Sequence, residues 1–278
     1  MSITQKNIID DIKNLASKFN VTDESRLNNN WLPFKIDEVR AQLIVKQYGD
    51  SDILDQSWLT DMGLVTFHKV NLADDVTVSY CGCPVSKAYI PQVIQLPTKS
   101  PNQDLGIQMI MSVCGKTSYY NRPLNQWRQI PSDHPYMLFP FYYRINTALY
   151  VNRDIETLRV VALLVRPEDG YYILSAPVTS GSIVLGTSYI VKFGQVAYDS
   201  VIYNEEDTFT GTAVTTFAGA GSVYLETQQV TYRDTYPYPV SADMARQITL
   251  EICTKEFGIE KGQITDVRND SKDDVQKS

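Results

Sequence analysis

Histidine is almost missing from this 278-residue chain, which has only His68 and His134. A Ser-His-Asp or Cys-His catalytic arrangement would have to use one of them, and neither stands in a recognisable context. His68 alternates within an expected strand and reads as a structural histidine, while His134, between Asp133 and Pro135, reads as a turn residue. Cysteine is scarce too. Four in a chain of this length make no disulfide framework, which points to synthesis in a reducing, intracellular setting. No apolar run approaches the roughly 18 residues that a membrane span needs, and the opening MSITQKNIIDDIKNL lacks the apolar core of a signal peptide. Basic residues do not cluster. With a net charge of −7 and a pI near 4.9, nucleic-acid binding through a phosphate-neutralising face is disfavoured.

The motifs that carry chemistry are equally thin. Cys81-Gly82-Cys83 is the sharpest metal candidate, with Cys114 and His68 able to bring the ligand count to four. Structural zinc pairs usually leave two to four residues between cysteines, so reduced thiols are the expectation. The acidic stretch 266–274 has the look of a calcium loop but lacks the glycine and the closing glutamate such a loop needs, and reads as a solvated tail. GTAVTTFAGAG lacks the lysine and the strand-to-helix setting of a phosphate loop. No pair of carboxylates stands out from the surface charge as a glycosidase pair would. Accordingly no catalytic, cofactor-binding or metal-binding residue is assigned, and no enzymatic activity is expected.

What the chain does have is one clear amphipathic helix, WLPFKIDEVRAQLIVKQY at 31–48, around which the rest is organised. Asn30 and Pro33 suit its start, and Ile36, Val39, Leu43 and Gln47 share a stripe widened by Ala41, Ile44 and Val45. Asp37 and Glu38 in the first turn and Lys46 in the last match the helix dipole, and Gly49 and Asp50 are read as the stop. We expect this helix to be a docking element on which the β-rich remainder packs. Before it, Ile8, Ile12, Leu15, Ala16 and Phe19 form a second helical stripe with Thr4 or Ser2 as cap, followed by a polar stretch at 20–30.

Strand patterns fill the middle. GLVTFHKVN alternates with period two, LGIQMIMSVC and residues 142–151 are strand candidates, and YIPQVIQLP belongs at a sheet edge because proline cannot donate into a ladder. LRVVALLV reads as a strand covered on both faces, with RPEDG as the turn after it. Residues 184–225 have a different texture, with five glycines and the short strands SYIVKFG, VAYDSVIY, DTFTGT and GSVYLE, so they read as an inserted β module. Its flanks, including ETQQVTYRDTYPYP, read as connections. SADMARQITLEICTKEFG is the closing helix, capped by Ser241 and stopped by Gly258, with Met244, Ala245, Ile248 and Ile252 on one face. Tyrosine is the compositional outlier, 18 against 9 Phe and 3 Trp, and suits half-buried sheet surfaces and interfaces.

The length admits one large or two modest domains. The expected fold is α+β and β-rich: N- and C-terminal helices packed with a mainly antiparallel β core, plus a small inserted β-barrel or sandwich module. The boundaries we read are an N-terminal arm at 1–29, a core connector domain at 30–183 and 226–261, the inserted module at 184–225, and a flexible acidic tail at 262–278. Both termini are expected to order only in assembly.

Taken together, DEVRAQLIVKQY after a polar lead-in, the turn Cys81-Gly82-Cys83-Pro84-Val85, the YIPQVIQLP extension and the closing YPYPVSADMARQITLEICTKEFGIEKGQITDVRNDSKDD resemble the neck ring proteins of crAss-like phages of gut Bacteroidota. The β insert is similar to small β modules in virion proteins of those phages. The resemblance spans roughly residues 30–274. It implies a non-enzymatic head-to-tail connector: a homo-oligomeric ring, a dodecamer matching the portal, made in the bacterial host cytoplasm and located in the virion neck. Its implied partners are the portal, other neck and tail proteins, and passing DNA held without sequence-specific binding; no cofactor and no membrane are implied. The competing readings are a carbohydrate- or host-surface-binding β module of a fibre or surface protein, suggested by the aromatics Trp127 and Trp58, and, more weakly, a carboxylate hydrolase.

Overall fold

The computed structural model describes residues 3–19, 31–70, 85–97, 104–123, 126, 139–175, 177–179, 181–212, 216–219 and 222–259. The chain divides into two compact units, Met1–Trp58 with Arg233–Ser278, and Leu59–Tyr232. Among the described residues there are five α-helices and 14 strands, an α+β, β-rich fold as expected. The sheets are mainly antiparallel.

In the first unit, α1 (Gln5–Lys18), α2 (Trp31–Ser51) and the closing helix Ala242–Phe257 pack on one another. α1 starts at Thr4, whose hydroxyl accepts from the Asn7 N–H while the Asn7 side chain accepts from the Thr4 N–H. Its stripe of Ile8, Ile12, Leu15 and Ala16 is buried, so the helix of the expected arm is a member of its own chain's bundle. The closing helix follows its reading in detail: Ser241 Oγ accepts from the Met244 N–H, and Gly258 takes the left-handed conformation at φ 66° that ends the helix. Met244, Ala245, Ile248 and Ile252 are its buried face.

α2 corrects two expectations. It runs through Gly49 and Asp50 to Ser51, and the left-handed residue beyond it is Asp52, at φ 55°. Gly49 weakens the last turn without ending it, because one glycine costs only about 1 kcal/mol in a helix interior. Secondly, Asp37 and Glu38 do not stand in the first turn, which begins at Trp31 and holds no acidic residue. Asp37 and Arg40 are both buried, at 4% and 0% exposure. Asp37 Oδ1 accepts from Tyr238 Oη at 2.5 Å and from Gln5 Nε2 at 3.4 Å. Arg40 donates from Nη2 to the Trp58 carbonyl at 2.7 Å and from Nε to the Pro239 carbonyl at 3.0 Å. Buried charges need such partners, so this node fixes how α1, α2 and the segment before the closing helix meet.

The second unit begins with two facing sheets. One has the order β1-β8-β4, from β1 (Thr60–Thr66), β4 (Ile107–Met111) and β8 (Thr157–Ala162). The other has the order β2-β3-β7-β6-β5, from β2 (His68–Lys69), β3 (Ser86–Tyr89), β5 (Tyr120–Asn121), β6 (Phe141–Ile145) and β7 (Ala148–Val151). A single cluster joins them, including Val65, Phe67, Ile107, Ile110, Leu149, Val160 and Leu164. The YIPQVIQLP run lies where the prolines put it, beside the end of β8: Ile94 N–H donates to the Leu163 carbonyl and Val165 N–H to the Gln92 carbonyl. β8 is covered on both faces only toward its end, since Arg159 is exposed and hydrogen-bonded to Asp61 while Val161 and Ala162 are buried.

RPEDG is not a turn. It opens α3 (Pro167–Leu174), with proline in the first turn followed by Glu168 and Asp169, a helix-start signature. α3 packs tightly on β1: a Cβ at Gly170 would come within 2.8 Å of Leu164 Cδ1 and 2.9 Å of Thr60 Cγ2. The ETQQVTYRDT connection is likewise a helix, α4 (Glu226–Thr235), which makes the closing helix α5.

Three of the four short strand readings of the β module hold; VAYDSVIY is instead a hairpin of two strands turning at Asp199 and Ser200, and Phe217–Gly219 adds a strand that the sequence pattern does not show. Its strands form two three-stranded sheets, β12-β9-β14 and β11-β10-β13, with no closed barrel among the described residues. The ranges are β9 (Ser188–Lys192), β10 (Val196–Tyr198), β11 (Val201–Tyr203), β12 (Thr208–Thr210), β13 (Phe217–Gly219) and β14 (Ser222–Leu225). Tyr189, Val191, Val196, Tyr198, Phe209 and Val223 share its core. Tyrosine has a more internal use than the sequence suggested, since ten of the 18 are buried in the chain itself. Their hydroxyls explain this: Tyr189 Oη accepts from the Val184 N–H at 2.8 Å and Tyr198 Oη from the Thr212 N–H at 2.7 Å, so each ring packs inside while its tip pins a loop.

Candidate functional site

The residues singled out in the sequence do not converge. His68 is exposed on β2, and Cys114 is exposed in the turn after β4, where a hydrogen bond with Ser112 Oγ lowers its thiol pKa. Cys81, Cys83, Trp127, His134 and the 266–274 stretch lie outside the described residues. Among the described residues no three His, Cys, Asp or Glu side chains are grouped to hold a metal. Trp58 corrects an expectation: it is 4% exposed, so it is no surface aromatic for a sugar.

The structure gathers a different set, which the sequence reading missed. Where β8 turns into α3, Arg166 takes the N-cap position, and Glu168 and Asp169 occupy the first turn. Lys192, the last residue of β9, is fully buried opposite them. Glu206, just past β11, reaches in from a left-handed backbone at φ 74°, held there by its N–H donating to the Val191 carbonyl at 2.9 Å. A non-glycine residue in that region costs on the order of 1 kcal/mol, which the ion pairs offset.

Glu206 is the hub. Lys192 Nζ lies 2.9 and 3.0 Å from its two carboxylate oxygens, and Arg166 Nη1 lies 2.7 Å from Oε1. Lys192 stands 3.8 Å from Glu168 Oε1 and 3.8 Å from Asp169 Oδ1, and its ammonium sits 4.6 Å from the centre of the Tyr172 ring. Two cations thus face three carboxylates. The two that differ most are Glu206 and Asp169. Burial alone would raise the pKa of Glu206, but the direct hydrogen bond from Arg166 and the charges and contacts of Lys192 and Arg166 outweigh it and leave it lowered. Burial raises Asp169 to about 6, because its cations stand farther off at 3.8 and 4.0 Å. The only signal in the sequence was the helix-start pattern Pro167-Glu168-Asp169; the far halves, Lys192 and Glu206, sit in a strand and a turn that carry no mark of burial.

Beside this cluster runs a cleft of about 1090 Å³ whose walls include Tyr89, Pro91, Ile173 and Phe193. Its charged end is Arg166, Asp169, Glu205 and Glu206. The arrangement ties the β module to α3 and hence to the sheet core, and its action is electrostatic positioning.

The family described as phage tail ring protein 2, a crAss phage family, matches residues 7–275. The chain belongs to that family. It is therefore a structural virion component, a ring protein of a crAss-like phage tail. No curated protein matches it. Among the described residues no helix is long and apolar enough to cross a membrane.

Proposed function

We propose that the chain is a non-enzymatic connector that closes into a homo-oligomeric ring in the phage neck, joins portal to tail and continues the DNA channel. The observation that carries this reading is the family match along nearly the whole chain, residues 7–275. On this reading the ring is a dodecamer in register with the portal, and its neighbours are the portal and other neck and tail proteins. The net charge of −7 supports passage of DNA without retention, because an acidic wall repels phosphates and lets the duplex slide. The two units would divide the work, with separate surfaces available for lateral contacts and for contacts along the axis, as a heterologous ring requires.

The test is coexpression with the portal of the same phage, followed by electron microscopy of the purified assembly. The expected result is a closed ring stacked coaxially on the portal. A chain that stays monomeric and binds neither portal nor other neck proteins contradicts the proposal.

A further inference from the structure

The cleft beside the ionic node lies wholly within the second unit, and negative charge prevails at its charged end. Glu168, Asp169, Glu205 and Glu206 stand there against Arg166 and Lys192. Glu206 engages both cations, at 2.7 to 3.0 Å. Two carboxylates on the cleft wall are left short. Asp169 is 8% exposed, its Oδ1 has no hydrogen-bond donor, and its nearest cations stand at 3.8 and 4.0 Å. A buried carboxylate in that condition calls for a donor, and burial has already raised its pKa to about 6. Glu205 is exposed and accepts one hydrogen bond, from the Phe193 N–H at 3.4 Å, and no cation pairs with it among the described residues.

Beside these carboxylates the wall is apolar, with Pro91, Ile173 and Phe193, the last held on a left-handed backbone at φ 60°. At about 1090 Å³ the cleft is far larger than a metal ion needs, and Tyr89 and Glu205 on its wall are exposed to solvent. The ligand that suits both parts is a cation on an apolar stem. A guanidinium suits them best, because its planar fork matches carboxylates, it is weakly hydrated, and it stacks on aromatic faces such as that of Phe193. A chain with a net charge of −7 and no basic cluster is a poor source of that cation for its own copies, so charge complementarity points to a different protein.

We propose that this cleft receives an arginine side chain carried on an extended apolar segment of a partner protein, the guanidinium held by Asp169 and Glu205 and the neighbouring apolar groups lying against Ile173 and Phe193. This rests on the reading that the chain works bound to other virion proteins, and it does not require that the chain close into a ring.

The full-length chain is titrated with the peptide acetyl-Leu-Arg-Leu-amide and followed by saturation-transfer NMR, which reads weak binding whatever the size of the assembly. The expected dissociation constant at pH 7.5 is on the order of 1 mM. The citrulline counterpart, which keeps the shape and loses the charge, and agmatine, which keeps the guanidinium and loses the flanking residues, should each bind at least about fivefold more weakly. Glu205→Gln should weaken the arginine peptide about threefold. Binding selects the ionised Asp169, which Arg166 and Glu168 face from its own segment, Lys192 from β9 and Glu206 from beyond β11. Affinity should therefore rise by up to about tenfold from pH 5 to pH 7.5, and the rise should vanish in Asp169→Asn. The pH series is run in a His68→Gln background, which takes the imidazole on the cleft wall out of the titration. Circular dichroism reports that each variant is folded. No binding at about 10 mM peptide, equal binding of the citrulline peptide, or a pH dependence that survives Asp169→Asn overturns the proposal. Any of these leaves the connector reading standing on its own test with the portal. Agmatine binding as tightly as the peptide overturns a protein segment as the occupant.

Discussion

Two buried polar nodes hold this molecule, one in each unit, and they are built on opposite plans. In the helical unit, Arg40 is satisfied by the neutral carbonyls of Trp58 and Pro239, and Asp37 by Tyr238 and Gln5. In the β-rich unit, Lys192 and Arg166 are satisfied by the carboxylates Glu168, Asp169 and Glu206. Backbone dipoles and a tyrosine hydroxyl keep their character as pH falls, whereas a carboxylate can be neutralised by a proton. Arg40 is therefore held by partners that do not titrate, whereas the ionic node fastens the β module through carboxylates that do.

The largest effect should come from Arg40→Ala. It strips the Trp58 and Pro239 carbonyls of their donor and empties a fully buried position, at a cost of about 4 kcal/mol in urea unfolding. Lys192→Met should cost about 3 kcal/mol at pH 7, because three carboxylates then share one guanidinium. The comparison sharpens on acidification. Removing Lys192 makes the carboxylates easier to protonate, so the Lys192 deficit should shrink at pH 5 while the Arg40 deficit persists; equal deficits at both pH values would erase the distinction drawn between the nodes.

Asp169→Asn should act in the other direction. Asp169 has a folded pKa raised from 3.8 to about 6, so the folded protein holds this proton more tightly than the unfolded chain does. Stability from this group is complete below pH 3.8 and is lost as pH rises through 6. The asparagine variant lacks that loss and should be more stable than wild type by up to about 3 kcal/mol at pH 8, with no advantage below pH 4. Urea midpoints across pH 4–8 check this, and a variant less stable at pH 8 would show that the Asp169 charge is fully matched. The smallest effect belongs to Gly49→Ala. Because α2 continues through Gly49, alanine should stabilise the helical unit by about 0.8 kcal/mol, and a loss on thermal unfolding would mean that the helix does end there.

What could be read from the residues was whatever is local. The closing helix carries its own start in Ser241, its own stop in Gly258 and a full apolar stripe between, and it folds as read. The β module shows its strands because each is short, alternating and bounded by turn residues. α3 and α4 were lost because one is short and rich in tyrosine and the other is polar, so neither shows the apolar periodicity that marks a helix. The nodes were illegible for a deeper reason. Lys192 and Glu168 stand 24 positions apart, Asp37 and Tyr238 far more, with |i−j| of 201 for the latter pair. Nothing near Lys192 in SYIVK says that its ammonium is buried, and Asp37 looked like an ordinary first-turn acid until Tyr238 was placed against it.

The central claim is that this chain serves by assembling. The measurement that meets it most directly is cryo-electron microscopy of the intact parent phage with symmetry left free in the neck. The account predicts a closed dodecameric ring of this chain, coaxial with the portal and open along the DNA path. A particle whose neck and tail contain no copy of it would contradict the account.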